Sequence, residues 1–258
     1  MENLSFEEMG EIGILRINRP QAHNALNSKL LEELSAWLKQ ERNVKIVIIT
    51  GQGEKAFIAG ADIKEMAALD AATSQKFCAL GQQVTLQIEQ APFITIAAIN
   101  GFALGGGLEI ALACDFIYAA KSAKLGLPEV SLGLIPGFGG TQRLARAVGT
   151  RRAKELIMTG KKISAEEALR MGLVNKVTHD HALLADCRYT AEAILKNSFA
   201  SIVAAKHALD KGYHLDMESA LKIEQKAFTN CFNSPDRIEG MGAFLEKRTP
   251  NFHGVPTC

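Results

Sequence analysis

The 258-residue sequence predicts an α/β fold with crossover connections, followed by a purely helical C-terminal region. Three observations lead there. Residues 44–50 and 93–99 are runs rich in β-branched side chains, the pattern of strands buried on both faces in a parallel sheet. Glycine-rich junctions and helical periodicity follow each run, so strand, loop and helix recur in order. From about residue 198 onward only helical patterns are left, over 199–212, 217–230 and 237–247. The predicted division is an α/β core over 1–197 and a helical region over 198–258.

The elements follow in chain order. Residues 4–8 and 12–18 read as a hairpin turning at Met9-Gly10-Glu11. Arg19-Pro20 ends the second strand. Asn27 or Ser28 then caps a helix whose Leu30, Leu31, Leu34 and Leu38 share one face, with Glu32, Glu33 and Lys39 outward. Trp37, on its flank, reads as packing. After the 44–50 strand come a glycine-rich loop, a short helix from Asp62 and a longer helix through 73–90. The 93–99 strand leads through Asn100 to a helix at 108–113 and a strand near 116–119.

Composition narrows the function. Hydrophobic residues are 47% and charged residues 22%, enough apolar material for a sizeable core. The net charge of +1 provides no broad basic field for nucleic acid or an anionic membrane, so an anionic ligand has to be held locally. Asn100, Glu109 and Asp115 interrupt the most apolar stretch, 93–117, too often for a membrane span. The five cysteines, Cys78, Cys114, Cys187, Cys231 and Cys258, form no CxxC pair and suit reduced thiols. The opening residues, with Glu7 and Glu8, offer neither a basic n-region nor an Arg-rich leader. The expected location is the cytoplasm.

Three glycine-rich junctions attract chemical interest. In Phe57-Ile58-Ala59-Gly60-Ala61-Asp62-Ile63-Lys64-Glu65, Asp62 and Glu65 fit a capping box, and amides near a helix start can bind an anion or oxyanion. An ordinary capped turn fits the same residues. Asn100-Gly101-Phe102-Ala103-Leu104-Gly105-Gly106-Gly107-Leu108-Glu109 is neither GxGxxG nor a P-loop. Glu109 there opens an apolar helix, either to complement the helix dipole or because a buried carboxylate has a task. The third junction, Leu127-Pro128-Glu129-Val130 with Gly133 through Thr141, again sets a carboxylate among apolar residues. Two such carboxylates beside backbone donors are suited to acid/base work near a carbonyl.

At these residues the sequence resembles the enoyl-CoA hydratase (crotonase) family, and within it the short-chain hydratases. The resemblance runs through Asn18-Arg19-Pro20 with Asn24-Ala25-Leu26, and through Ala59-Gly60-Ala61-Asp62-Ile63-Lys64 and Asn100-Gly101 with Gly105 to Glu109. It continues in Pro128-Glu129, Gly133, Pro136-Gly137 and Gly139-Gly140-Thr141, and ends on Gly240-Met241 with Ala243 to Arg248. It implies a spiral of ββα units with a C-terminal helical trimerisation region, hence a homotrimer or a homohexamer built as a dimer of trimers. The backbone N–H groups of Ala61 and Gly106 would form an oxyanion hole for an acyl-CoA thioester. Asp62, Ile63 and Lys64 would line the coenzyme A side, and Phe244 and Lys247 would reach a neighbouring subunit's coenzyme A. Glu109 would orient and activate a water, Glu129 would serve the proton at C2, and the Gly137 amide would contact the water. The implied reaction is hydration of a trans-2-enoyl-CoA within fatty-acid metabolism. It needs no separate cofactor and no metal, because coenzyme A is part of the substrate.

Other readings are weaker on the same residues. His179-Asp180-His181 and the His207, His214 pair lack a metal-ligand set. Ser131 and Cys114 lack a nucleophile elbow. Lys161-Lys162 and Arg151-Arg152 read as solvated faces or helix ends. Family isomerases commonly lack a carboxylate at the Glu109 position. An RNA-binding relative carries a comb of lysines on its first long helix, where this chain has only Lys29 and Lys39 among Glu32, Glu33 and Glu41. A non-catalytic acyl-CoA-binding paralogue would more readily have lost one glutamate. Gln21 stands where hydratases often carry lysine, which weakens one expected phosphate contact.

Overall fold

The computed structural model describes residues 2–254. Cys258 lies outside them, and Cys78, Cys114, Cys187 and Cys231 are in no disulfide. Contacts divide the chain into one unit ending at Arg188 and a second beginning at Tyr189.

The first unit opens with the expected hairpin. Strands β1 (Leu4–Met9) and β2 (Ile12–Ile17) pair antiparallel with Met9 opposite Ile12. Gly10 takes the left-handed turn position, φ +63°. Helix α1 (Ser28–Leu38) is capped by the Asn27 side chain, which accepts from Leu30 N at 2.9 Å. It buries Leu30, Leu31, Leu34 and Leu38, as the spacing predicts. Trp37 is buried edge-on to Phe6 and Phe93, so it is a packing residue.

The chain then repeats one motif. β3 (Ile46–Gly51) is followed by β4 (Ala56–Ile58) and helices α2 (Ile63–Met66) and α3 (Ala71–Glu89). β5 (Ile94–Ile99) is followed by β6 (Phe102–Leu104) and α4 (Gly106–Leu112). β7 (Phe116–Ala120) is followed by β8 (Lys124–Gly126) and a 3-10 turn, Glu129–Leu132. The first strand of each pair joins a sheet ordered β1-β2-β3-β5-β7-β10, and the second joins a sheet ordered β4-β6-β8-β9. Helices α5 (Gly140–Val148), α6 (Thr150–Thr159) and α7 (Ala165–Arg170), with short strands β9 (Ile163–Ser164) and β10 (Lys176–Thr178), complete the unit before α8 (Leu183–Leu195). This is the ββα spiral that the family resemblance implies.

From β2 through β10 the larger sheet is parallel, and every residue of β3 and β5 is buried. Each large aliphatic side chain buried there contributes roughly 1.5–3 kcal/mol. In the smaller sheet β4, β6 and β8 run parallel while β9 closes the edge antiparallel.

The second unit contains α9 (Phe199–Gly212), α10 (Met217–Phe232) and α11 (Pro235–Glu246). Buried Asp236 ties its end together, accepting from Ser198 Oγ at 2.7 Å and from the amides of Gly254 and His253 at 2.8 and 3.1 Å. Leu209, Met217, Leu221, Phe228 and Phe244 are nonetheless exposed. Among the described residues no helix is long and apolar enough to cross a membrane.

Candidate active site

The smaller sheet brings the three glycine-rich junctions together. Because β4, β6 and β8 are adjacent and parallel, their carboxyl ends lie on one edge. There the chain runs from β4 into Ala59-Gly60-Ala61, from β6 into Gly105-Gly106 and from β8 into Leu127-Pro128-Glu129. Carboxyl ends of parallel strands are where open α/β sheets gather ligand-binding groups.

A short bridge sets the first amide. Leu26 N donates to Gly60 O at 2.8 Å and Asp62 N donates to Leu26 O at 2.7 Å. This parallel pairing turns the N–H of the intervening Ala61 away from Leu26. The bridging strand is itself held by Asn24, buried and left-handed at φ +59°. Asn24 Oδ1 accepts from Arg19 N at 2.9 Å, and its Nδ2 donates to Gln52 O at 3.0 Å and Ala56 O at 2.8 Å. The second amide, Gly106 N, begins α4, where helix geometry leaves it without an intrahelical acceptor. Gly105 before it has φ +50° and ψ −125°, a conformation that only glycine adopts cheaply.

Glu109 sits one turn into α4, buried. One of its oxygens, Oε1, accepts the amides of Phe138 at 2.8 Å and Gly140 at 2.6 Å. Burial first, with the nearby Glu129 charge adding, pushes its carboxyl up to about 7 against the pull of these two amides and of Arg143. Glu129 opens the 3-10 turn after β8 and is half-buried. Its Oε2 is buried without a hydrogen-bond partner among the described residues, and burial raises its pKa. Its Oε1 lies against Gly105, where a Cβ would come within 2.9 Å. Two carboxyls of raised pKa beside outward-turned amides are suited to exchanging protons with a ligand.

The flanking loop departs from the expected capping box. Asp62 caps α2, accepting from Lys64 N at 3.2 Å, and pairs with Arg19 at 3.0 Å. The Glu65 carboxylate turns instead to the start of α1, accepting from Ser28 N at 3.1 Å and from Ser28 Oγ. Its preference is physical: the unbonded first amides of α1 are a stronger partner than its own helix end. Ile63 and Lys64 are exposed beside Asp62.

Gly137 presents its carbonyl to Cys78 Sγ at 3.0 Å and Gln82 Nε2 at 2.9 Å. Phe244 and Lys247 lie in the second unit, both exposed, with Lys247 as the left-handed C-cap of α11. Sequence patterning did not foresee the amides of Phe138 and Gly140 as partners of Glu109, nor Arg143 behind them. The only trace of them is the Gly139-Gly140-Thr141 run, which signals close backbone approach without naming its target. Among the described residues no group of three or more His, Cys, Asp or Glu is placed to hold a metal ion.

Comparisons with known proteins converge. Residues 7–255 match the family model described as enoyl-CoA hydratase/isomerase. The chain is 45% identical over 251 residues to the short-chain-enoyl-CoA hydratase of Clostridium acetobutylicum, covering 96% of each chain. It is 47% identical over 254 residues to the crotonyl-CoA hydratase of Syntrophomonas wolfei, covering 97% of this chain and 98% of the relative. The crystal structure of enoyl-CoA hydratase from Bacillus anthracis superposes with a TM-score of 0.95 at 44% identity, over 98% of this chain and all of that one.

Proposed function

The chain belongs to the enoyl-CoA hydratase/isomerase family, and from that premise we propose that it adds water across C2=C3 of a trans-2-enoyl-CoA to give a 3-hydroxyacyl-CoA. The observation that carries the assignment is the pair Glu109 and Glu129, both of raised pKa, beside the amides of Ala61 and Gly106. The two amides take the thioester oxygen, which makes C3 electrophilic and stabilises the enolate-like charge, at roughly 3–4 kcal/mol per donor. Ionised Glu109, held in place by Phe138 N and Gly140 N, accepts a proton from water as its oxygen bonds to C3. The coupled pair shares one proton in its reacting form, so while Glu109 is ionised Glu129 holds that proton and gives it to C2. The proton gained by one carboxyl and lost by the other re-equilibrates before the next turnover. A carboxyl near pH 7 is matched to this exchange.

Asp62, Ile63 and Lys64 flank the coenzyme A side, the Gly137 amide contacts the attacking water, and no separate cofactor takes part. Phe244 and Lys247 complete a neighbouring subunit's site in a homotrimer or a dimer of trimers; the exposed apolar side chains of α9, α10 and α11 support such an assembly. The enzyme works in the cytoplasm, within fatty-acid metabolism.

The test follows the ultraviolet absorbance of the conjugated thioester in crotonyl-CoA. The protein is expected to hydrate it, and Glu129→Gln to cut turnover by at least about 10²-fold while acyl-CoA binding survives. An inactive wild-type protein, or one that only isomerises 3-enoyl thioesters, overturns the assignment.

A further inference from the structure

Behind the Glu109 loop lies a charged group that the reaction chemistry leaves without a task. Arg143, in the first turn of α5, is largely buried at 15% side-chain exposure. Its Nη1 donates to Phe138 O and to Thr85 Oγ1, each at 3.2 Å, and its Nη2 donates to Glu89 Oε2 at 2.7 Å. Thr85 Oγ1 itself stands 3.0 Å from Phe138 O. The guanidinium therefore ties the peptide after Phe138 to α3 at two points. The two amides that grip Glu109, those of Phe138 and Gly140, bracket that peptide. The loop is also shaped around it: a Cβ on Gly139, where φ is +105°, would fall 2.3 Å from Nη1.

We propose that Arg143 is a positioning residue for Glu109, fixing the loop whose amides hold the carboxylate and supplying positive charge that Glu89 partly offsets. Two effects then act in one direction. A fixed loop keeps both amides aimed at Oε1, and the cation favours the ionised carboxylate that accepts the proton from water. The titratable groups facing Glu109 are Glu129 from the turn after β8, Arg143 from α5 and Cys78 from α3. Of these, Arg143 is the one that lowers its pKa.

The inference deepens the hydratase reading and rests on it. The experiment measures kcat and KM against pH with crotonyl-CoA, alongside carboxyl 13C NMR titration of Glu109, which needs no turnover. Arg143→Gln is expected to lower kcat by about 10²-fold, the scale of a misplaced catalytic group, with KM little changed and the Glu109 titration moved to higher pH. Arg143→Lys, which keeps the charge and loses the fork, is expected to leave the titration in place and recover part of kcat. Glu89→Gln leaves the guanidinium less neutralised, so the Glu109 titration moves to lower pH. That variant keeps the test open if Arg143→Gln does not fold. An unmoved Glu109 titration in both Arg143→Gln and Glu89→Gln, in a protein whose wild type hydrates crotonyl-CoA, overturns the inference. An inactive wild type overturns the hydratase reading instead.

Discussion

Gly140 donates its amide to Glu109 Oε1 at 2.6 Å, and its Cα stands so near the carboxylate that a Cβ would come within 2.9 Å of both Cγ and Oε1. Leu127 Cδ1 closes the same space at 3.1 Å. Gly140→Ala therefore cannot keep the carboxylate where it is. The expected outcome is a kcat loss of about 10²-fold, the cost of a misplaced reacting group, with KM for crotonyl-CoA little altered. Steady-state kinetics decide it; an unchanged kcat would show that the carboxylate tolerates displacement.

Glu129 adds its charge to the factors that raise Glu109. Glu129→Gln removes that charge, so Glu109 in the variant should titrate at lower pH than in wild type. Carboxyl 13C NMR follows the group directly and needs no turnover. A Glu109 titration that stays put, or moves upward, rules out like-charge repulsion between the two.

The strongly patterned parts of this architecture were plain in the sequence. The runs that became β3 and β5 could hardly be anything else, since every position in them is apolar or Thr and all are buried. The leucine face of α1 and the helices of the second unit were equally legible. The smaller sheet was not, because strands of three residues such as β4, β6 and β8 carry too short a pattern to register, yet those strands align the site. The candidate carboxylates stood out as charges in apolar surroundings. Their partners did not, since Phe138 and Gly140 act through backbone amides that any residue possesses. Glu65 shows a further limit: local spacing pointed to its own helix, whereas a sequence-distant amide at Ser28 offered the better bond.

Asn24 joins three backbone groups from separate segments while holding a left-handed backbone. Asn24→Ala leaves those buried groups unbonded and places a Cβ-bearing residue with no compensating amide at positive φ. The expected loss is about 2–4 kcal/mol of unfolding free energy, measured by urea titration. Because the bridge between Leu26 and Ala61 hangs on this segment, kcat should fall as well. A loss below about 0.5 kcal/mol, the size of a neutral surface change, contradicts the bracing role.

The exposed aromatic and aliphatic side chains of α10 and α11, Phe228, Phe232, Ile238 and Phe244 among them, would make a monomer unusually apolar at its surface. Light scattering of the purified protein is expected to return the mass of three or six chains. A clean monomer removes the basis for the roles proposed for Phe244 and Lys247 in a neighbouring site.

A buried carboxyl of raised pKa weakens the fold, and the direction of that cost follows from linkage. Glu109 titrates at about 7 in the folded chain against an ordinary value of 4.5, so the folded state holds its proton more tightly than the unfolded chain does. Below the ordinary value both states are protonated and the group costs nothing. As pH rises from there through 7 the unfolded chain ionises first, and stability falls until the folded carboxyl ionises too. The full loss is about 3 kcal/mol. Glu109→Gln carries no titrating proton, and its amide oxygen can still accept from Phe138 N and Gly140 N. The variant should therefore gain stability relative to wild type as pH rises, by about 1 kcal/mol near pH 5 and about 3 kcal/mol near pH 8. Urea titrations of both proteins at the two pH values check this. An offset that stays constant across the window would mean that the carboxyl does not titrate there. A growing offset, with activity lost, would show stability given up at Glu109 for proton transfer.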